Sequence, residues 1–205
     1  MKLSKKGEYA LRALLDLAMA QALDRDLVPL SALAEAQRMP ATFLEQILAE
    51  LRQAGFLSST RGKYGGYSLA RPASKIHIGE IVRQIGGPLA PIGCASVTAY
   101  ERCSCPDEEH CGLRLIMMDV RNAISNVLDR YTLAQLAEVT LQHLRRDGML
   151  PPVLELIRHI NLSTRAKVAA QKHTAAGVAA RRQKKKKAQP RRKPRATRVR
   201  AAKGR

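Results

Sequence analysis

Four cysteines place the chain's most reactive side chains in one short segment. Cys94, Cys103, Cys105 and Cys111 lie within 18 positions, and the sequence has no other cysteine. In a reducing compartment, clustered thiols more often bind a metal or respond to oxidation than form structural disulfides. Soft thiolate ligands favour iron–sulfur clusters, zinc or copper(I). The segment therefore predicts a metal or redox centre.

The rest of the composition limits the class of protein. The first ten residues, MKLSKKGEYA, lack the apolar stretch of a secretory signal, and no apolar run approaches the ~18–20 residues that cross a bilayer. We therefore expect a cytoplasmic protein with no membrane partner. With 45% hydrophobic and 26% charged residues, the chain can bury a core. It has no phosphate loop and no nucleophile–base motif, so we expect no enzyme.

The formal charge of +19 is unevenly distributed along the 205 residues. Residues 164–205 contain 17 Lys or Arg and no Asp or Glu, which leaves residues 1–163 with a net charge of only +2. Such a segment, poor in large apolar residues, is typical of a disordered tail that binds phosphates through counterion release. The positive net charge is therefore a property of residues 164–205 and not of the rest of the chain.

Hydrophobic spacing and turn residues predict the elements that must position the cysteines. Ser4 can cap a first helix that runs to about residue 21, and Thr132 to Gln135 form a capping box. Further helices are predicted over about 30–36, 41–54, 78–85, 112–130, 132–144 and 153–160. Two short strands, over 56–60 and 67–69, flank a Gly-containing turn. The order is that of a mainly helical winged helix-turn-helix domain followed by a long helix.

The helix over 41–54 carries residue types that can read DNA. Its face opposite the apolar stripe presents a short set of mostly polar residues: Thr42, Glu45, Gln46, Ala49 and Gln53. Glutamate accepts a hydrogen bond from cytosine N4, and glutamine pairs with adenine N6 and N7. Arg61 and Lys63, flanked by glycines at the tip of the wing, can approach the DNA backbone or minor groove. We therefore predict double-stranded DNA as a partner.

The combined motifs resemble the Rrf-type (IscR/NsrR/RirA-like) family of bacterial transcriptional regulators over residues 1–145. The matching stretches are LSKKGEYA from Leu3, FLEQIL from Phe43, LSSTRG from Leu57, GGY from Gly65 and IGEI from Ile78, with the cysteine segment. The resemblance implies a homodimer on a partly palindromic operator, with the helix over 112–130 as the dimer seam. It also implies base contacts from Thr42–Gln46 and a minor-groove contact from Arg61.

The resemblance also implies an iron–sulfur cluster, either 2Fe–2S or 4Fe–4S, on Cys94, Cys105 and Cys111. The sequence departs from the family's pattern because the loop between Cys94 and Cys105 is longer and contains Cys103 as an additional thiol. Arg114 stands where some members have a histidine ligand. Glu8, at a position where some members use an acidic ligand across the dimer, becomes the preferred fourth ligand, with Cys103 as its competitor.

Alternatives to this interpretation remain open from the residues alone. The cysteines could bind zinc, with His110 or Asp107 completing the site, or Cys103 or Cys105 could act in a thiol switch. The acidic stretch Asp107–Glu109 is interpreted as a solvated patch. A different class of protein, a nucleoid-associated protein dominated by its basic tail, is also consistent with the charge.

These observations predict five segments. Residues 1–88 form the winged helix-turn-helix domain, 89–111 the cysteine-rich loop, and 112–148 the dimerisation helix with the helix that follows. Residues 149–163 form a short connection, and 164–205 the basic tail.

Overall fold

Seven helices and one β-hairpin occupy the part of the chain that the structure, a computed structural model, describes, namely residues 3–62 and 65–160. In chain order the helices are α1 (Lys5–Ala22), α2 (Leu30–Ala36), α3 (Ala41–Gln53), α4 (Ile78–Ile81), α5 (Gly112–Arg130), α6 (Leu133–Arg146) and α7 (residues 152–160). Lys63 and the basic tail lie outside the described residues.

The first and sixth helices begin where their capping residues predict. Ser4 Oγ accepts a hydrogen bond of 3.0 Å from the backbone N–H of Gly7, which satisfies one of the free donors in the first turn of α1. At α6, Thr132 and Gln135 form the full capping box, in which each side chain accepts from the other residue's backbone N–H. Local signals therefore fix both helix starts before any tertiary packing.

The hairpin consists of β1 (Leu57–Thr60) and β2 (Gly66–Leu69), paired antiparallel. It is joined to the segment before α2 by two backbone hydrogen bonds between Val28 and Tyr67, of 2.8 and 2.9 Å. Gly66 makes this approach possible, because a Cβ at that position would collide with the Val28 carbonyl. The wing is thus held against the helices at its base.

The core lies between α1, α3 and α6. Leu14, Leu44 and Leu48 are fully buried there, and α6 contributes Leu133 and Leu141. Each such side chain contributes about 1.5–3 kcal/mol when it is removed from water. Helix α6 therefore returns after α5 to cover the first helix of the chain.

The helix predicted over 78–85 changes form part of the way along. It is α-helical in α4 and continues as a π-helical turn over Val82–Gly86, before Gly87 leaves it with a φ of +88°. Arg83 in this turn pairs with Asp129 of α5 through two nitrogens, at 2.7 and 3.0 Å. Gly79 makes room for that pair, because a Cβ there would collide with the Asp129 carboxylate.

Helix α5 packs on the body along one side only. Ile124 and Leu128 contact the core, whereas no residue of this helix is buried in the described part of the chain. Helix α7, whose docking the sequence left open, inserts Val153 and Ile157 into the core. None of the described helices combines the length and the hydropathy that a membrane span requires.

Candidate functional site

Helix α3 separates an apolar face from a polar one. Its buried side chains recur at the spacing of a single helical face: Leu44, Ile47, Leu48 and Leu51. Thr42, Glu45 and Gln46 lie on the other side, and all three are exposed. Burial of the apolar face fixes the rotation of the helix about its axis. The three polar side chains therefore face solvent, where the groove of a DNA duplex can reach them.

The turn between α2 and α3 has a defined backbone. Arg38 adopts a φ of +52°, the left-handed conformation that few residues other than glycine take. Met39 then turns inward and is buried, and the carbonyl of Pro40 accepts hydrogen bonds from the first turn of α3. This tight connection sets the angle at which α3 leaves α2, as a helix-turn-helix requires.

The turn at the tip of the wing begins directly after β1. Arg52 of α3 donates from Nη1 to Ser59 Oγ at 3.2 Å, which ties the strand to the helix. Arg61 follows and is exposed, and Gly62 has a φ of +113°, a conformation that favours glycine. The structure thus places Arg61 at the solvent-facing end of the hairpin, while the predicted contact from Lys63 lies outside the described residues.

The four cysteines differ in their exposure. Cys94 is buried in a 3₁₀ turn over Gly93–Ala95, whereas Cys105 is exposed. Cys103 and Cys111 are half-buried, and Cys111 is the residue that precedes the first turn of α5. All four are free thiols.

The thiols of the loop interact with one another. Burial raises the pKa of Cys94, and the neighbouring Cys103 raises it further. A hydrogen bond with Cys103 raises the pKa of Cys105 to about 11, and Cys111 also contributes to that increase. Cys103, the additional thiol of this loop, is therefore the residue that interacts with both Cys94 and Cys105. Thiols with raised pKa values stay protonated at neutral pH, so metal binding must displace their protons.

The four thiols are suitable ligands for a soft metal, but their positions do not form a metal-binding group. Four thiols in one loop are the ligand type of iron–sulfur clusters and of structural zinc. Across residues 3–62 and 65–160, however, no three His, Cys, Asp or Glu side chains converge as a ligand group. Binding of a cluster or an ion would therefore have to draw the thiols closer together.

Glu108 organises the cysteine loop, contrary to its interpretation as part of a solvated acidic patch. Its carboxylate accepts hydrogen bonds from the Tyr100 hydroxyl at 2.7 and 2.9 Å, and Cys103 Sγ donates to it at 3.7 Å. Arg114 Nε lies 3.5 Å away. The hydrogen bond from Tyr100 lowers the pKa of Glu108, which stays ionised. For Glu108 the interpretation was wrong, because the folded loop brings these partners to its carboxylate, whereas Asp107 and Glu109 are exposed.

Two arginines of α5 hold the turn that contains Cys94. Arg114 Nε donates to the Cys94 carbonyl at 3.0 Å, and Arg121 Nη1 donates to the Ala95 carbonyl at 2.7 Å. Arg114, which stands where some family members have a histidine ligand, therefore links the buried thiol's backbone to Glu108. Nothing in the local sequence signalled these contacts, because they depend on the path of the loop.

Asp107 and His110, the alternative zinc ligands, bind each other. His110 Nδ1 lies 2.8 Å from Asp107 Oδ2, and the His110 backbone N–H donates to Asp107 Oδ1 at 3.1 Å. This hydrogen bond to the backbone lowers the pKa of Asp107. Either side chain would have to leave this pair to complete a metal site.

Glu8 lies in the first turn of α1. It pairs with Lys5 at 3.0 Å and with Arg12 at 3.5 Å, and the hydrogen bond from Lys5 lowers its pKa. Within the described residues no contact joins Glu8 to a cysteine of the same chain. A ligand role for Glu8 therefore requires the cysteine loop of a second subunit.

The guanidinium of Arg12 connects Glu8 to the helix-turn-helix. Arg12 Nε donates to Gln37 Oε1 at 2.6 Å, and Gln37 Nε2 donates in turn to Asp16. Gln37 is the residue at which α2 ends. Asp16 is buried, and burial raises its pKa to about 6. This network was not predicted, although the i, i+4 spacing of Glu8 and Arg12 indicates its first contact.

The same arginine also borders an aromatic pair that reaches α3. Its guanidinium carbon lies 5.5 Å from the centre of the Tyr9 ring, and Tyr9 packs edge-to-face on Phe43 with ring centres 5.9 Å apart. Phe43 is the neighbour of Thr42 on α3. The N-terminal halves of α1 and α3 are thus in direct contact.

Comparisons with known proteins agree with this geometry. A family model described as Rrf2, an iron-dependent transcriptional regulator, matches residues 3–139. An rrf2-like HTH-type transcriptional regulator of Rhodobacter capsulatus is 39% identical over 133 residues, which are 64% of this chain and 89% of that protein. The regulator CymR of Bacillus subtilis is 32% identical over 140 residues, or 68% of this chain and 92% of CymR. The regulator IscR of Cereibacter sphaeroides is 46% identical over 85 residues, or 42% of this chain and 55% of IscR.

Solved structures show the same fold. The structure of CymR, the global cysteine regulator of B. subtilis, superposes with a TM-score of 0.56 at 31% identity, covering 68% of this chain and 98% of CymR. IscR of T. potens superposes with a TM-score of 0.53 at 32% identity, covering 68% of this chain and 88% of that protein. The predicted mainly helical fold with a two-stranded wing is confirmed, and the chain belongs to the Rrf2 family of DNA-binding transcriptional regulators.

Proposed function

We propose that this protein is a homodimeric, sequence-specific transcriptional regulator that senses iron–sulfur, redox or nitric-oxide status through its cysteine loop. The observation that carries its sequence specificity is the exposed face of α3, where Glu45 and Gln46 stand beside Thr42. Glu45 can accept from cytosine N4, and Gln46 can pair with adenine. Arg61, exposed after β1, supplies the minor-groove contact. A protein with these partners would act in the cytoplasm, on the nucleoid.

The dimer is supported by an apolar stripe on α5 that has no partner within the described residues. Leu113, Ile116, Val120 and Val127 follow each other at helical spacing, and between 39% and 59% of each side chain is exposed. A second copy of the same helix would bury this stripe in a two-fold interface. Two copies of α3 would then face the two half-sites of a partly palindromic operator.

The sensing role rests on the donor chemistry of the loop. Cys94, Cys105 and Cys111 would hold a 2Fe–2S or 4Fe–4S cluster, with Glu8 reaching across the dimer, or Cys103, as the fourth ligand. Such a cluster would supply an iron centre that reacts with oxidants and nitric oxide. The similarity to regulators named IscR supports this part of the proposal.

A specific observation also favours a cluster-free alternative. Cys103 interacts with two thiols of the same loop. A peroxide could oxidise Cys103 and one neighbour to a disulfide, with two electrons and two protons passing to the peroxide, which becomes two waters or, for an alkyl peroxide, one alcohol and one water. Zinc is the other cluster-free alternative, with His110 or Asp107 released from their mutual pair. The similarity to CymR, which is named a cysteine regulator, supports these cluster-free alternatives.

Arg12 offers a route from the sensor to α3. A Glu8 carboxylate that ligates a cluster shares its charge with iron and interacts less with Arg12. Arg12 is bound to Gln37 at the end of α2, and its guanidinium borders the Tyr9–Phe43 pair. We infer that gain or loss of the cluster changes the angle of the helix-turn-helix through this arginine.

The basic tail supports a role in affinity rather than in sequence recognition. Its 17 cations and absence of acidic residues favour binding to any phosphate backbone. If the tail dominated binding, the protein would act as a nucleoid-associated protein in which the winged helix adds only a mild preference.

Anaerobic purification of the full chain tests the sensor. The proposal predicts a coloured protein with visible absorption bands and matched iron and acid-labile sulfide. Glu8→Ala and Cys103→Ser, compared separately, then identify the fourth ligand, since its loss changes the spectrum and shortens the lifetime of the cluster. Colourless protein with stoichiometric zinc, or with no metal, would replace the cluster with one of the alternatives.

A further inference from the structure

A small cavity beside the cysteine loop has the features of a ligand site that the proposed regulator does not use. Its volume is about 220 Å³, and it lies between α5 and the segment over residues 89–98, which contains Cys94. Pockets for drug-sized ligands measure roughly 300–1,000 Å³. The cavity is therefore of a size for a small metabolite.

Arg121 provides the recognition group of this cavity. Its Nε and Nη2 atoms both donate to one acceptor, the Oδ1 atom of the adjacent Asn122, at 3.1 and 2.7 Å. Two parallel N–H groups on one edge of a guanidinium match the two oxygens of a carboxylate. A single amide oxygen uses this edge incompletely, so a ligand carboxylate can replace it with a stronger, two-bond contact.

The charges of the lining leave Arg121 without a counter-ion. Arg83, the other lining cation, is paired with Asp129 through two nitrogens. Arg121 contacts only the Ala95 carbonyl and the Asn122 amide, both of them neutral, in the described part of the chain. The lining therefore has a net charge of +1 located at Arg121, which suits a ligand with one negative charge.

The other residues that line the cavity indicate the chemistry of the rest of the ligand. Leu89, Ala90 and Val97 present an apolar surface, and Thr98 adds a hydroxyl. From these features we propose that the cavity binds a monocarboxylate with a short aliphatic body. The carboxylate lies on Arg121, and the aliphatic part lies against the segment over 89–98.

The position of the cavity explains why its occupancy would matter. Arg121 uses Nη1 to hold the Ala95 carbonyl, one residue after Cys94. A carboxylate on the other edge of the same guanidinium orders this side chain, and thereby the turn that contains the buried thiol. By their helical spacing, Arg121 and Ser125 lie on a different face of α5 from the exposed Ile116 and Val120, so a dimer formed on that stripe would leave the cavity open.

Calorimetric titration of the full-length protein tests this proposal. Butyrate is the probe and butyramide, its uncharged analogue, the control, both at constant ionic strength. We expect saturable binding of butyrate at least tenfold tighter than that of butyramide. Asn122→Asp places a carboxylate beside Arg121 and should weaken butyrate binding at least tenfold. Asn126→Asp, which adds the same charge one turn further along α5 outside the cavity, should leave it within twofold.

A second variant keeps the test decisive if Asn122→Asp fails to fold. Arg121→Lys preserves the charge but removes the paired N–H edge, so it should also weaken butyrate binding at least tenfold. Absence of saturable binding for butyrate and the shorter acetate would overturn the proposal. Equal affinities for butyrate and butyramide, or equal effects of Asn122→Asp and Asn126→Asp, would also overturn it. Because no outcome depends on DNA or on a cluster, failure here leaves the proposed regulator unaffected.

Discussion

Arg12 on α1 donates a 2.6 Å hydrogen bond from Nε to the side-chain oxygen of Gln37, the residue at which α2 ends. The other side of the guanidinium faces Glu8, in the first turn of the same helix. One arginine therefore joins a candidate cluster ligand to the helix-turn-helix. Because one guanidinium makes both contacts, loss of its contact with Glu8 can change its hydrogen bond to Gln37.

Replacement of Arg12 should uncouple sensing from DNA binding. In Arg12→Ala, operator affinity should change less than threefold between the cluster-loaded and cluster-free proteins, because Glu8 no longer shares a partner with Gln37. Fluorescence anisotropy with labelled operator DNA measures both states. Lys5→Ala is the matched control, since Lys5 pairs with Glu8 but does not reach Gln37. Coupling that survives in Arg12→Ala, whatever its size in Lys5→Ala, would contradict this route.

Asp16 should make the folded protein more stable as the pH falls from 8 to 5. Burial raises its pKa to about 6 in the folded state, above its ordinary value of 3.8. The folded protein therefore takes up this proton more readily than the unfolded chain, and the charged carboxylate reduces stability at pH 8. Asp16→Asn should raise the free energy of unfolding at pH 8 by about 1–2 kcal/mol and make it less dependent on pH.

Urea denaturation of the cluster-free protein at pH 5 and pH 8 provides this measurement. Asp26→Asn, which removes an exposed carboxylate soon after the same helix, is the control and should change the free energy of unfolding little. An Asp16→Asn protein that is less stable than the wild type at pH 8 would show that the carboxylate's hydrogen bond outweighs the cost of its burial.

Local signals accounted for most of the secondary structure. The Ser4 cap and the Thr132–Gln135 capping box appear as predicted, because a cap depends only on residues within one turn. The π-helical turn over Val82–Gly86 was not predicted. A hydrophobic pattern of 3.6-residue period does not distinguish one wide turn from an α-helical turn, and the pairing of Arg83 with the distant Asp129 is invisible in the sequence.

The candidate site was predictable in its residue types and not in its internal contacts. The exposed face of α3 followed from periodicity, since burial of Leu44 and Leu48 determines which side chains face outward. The role of Glu108 did not, because Tyr100, Cys103 and Arg114 meet it only once the loop has folded. The acidic sequence around Glu108 predicted a solvated side chain, whereas in the folded loop this side chain has three partners.

The apolar stripe of α5 should be the dimer interface. Val120→Glu places a charge in the middle of that stripe and should convert the dimer to monomer at micromolar concentration, because a buried unpaired carboxylate is strongly unfavourable. Light scattering coupled to gel filtration measures the mass. Asn126→Glu adds the same charge on the same helix outside the stripe and should remain dimeric. A dimeric Val120→Glu protein would place the interface elsewhere.

Removal of residues 164–205 should lower affinity for DNA of any sequence. The 17 cations of this segment release counterions when they bind, so their loss should flatten the dependence of log K on log salt. The ratio of operator affinity to random-duplex affinity should persist, since α3 and Arg61 are retained. Anisotropy titrations from 50 to 300 mM salt test both statements. Loss of the ratio would mean that the tail reads the sequence.

Selection from a random duplex library with the full-length protein tests sequence-specific reading by α3 most directly. We predict enrichment of a partly palindromic sequence, with Gln46→Ala and Glu45→Ala each losing about tenfold or more affinity for it and relaxing the preference at one base pair per half-site. Gln142→Ala, which removes an exposed glutamine on α6 instead of α3, should retain full affinity. Equal binding of the selected and scrambled duplexes, at every salt concentration, would contradict the account.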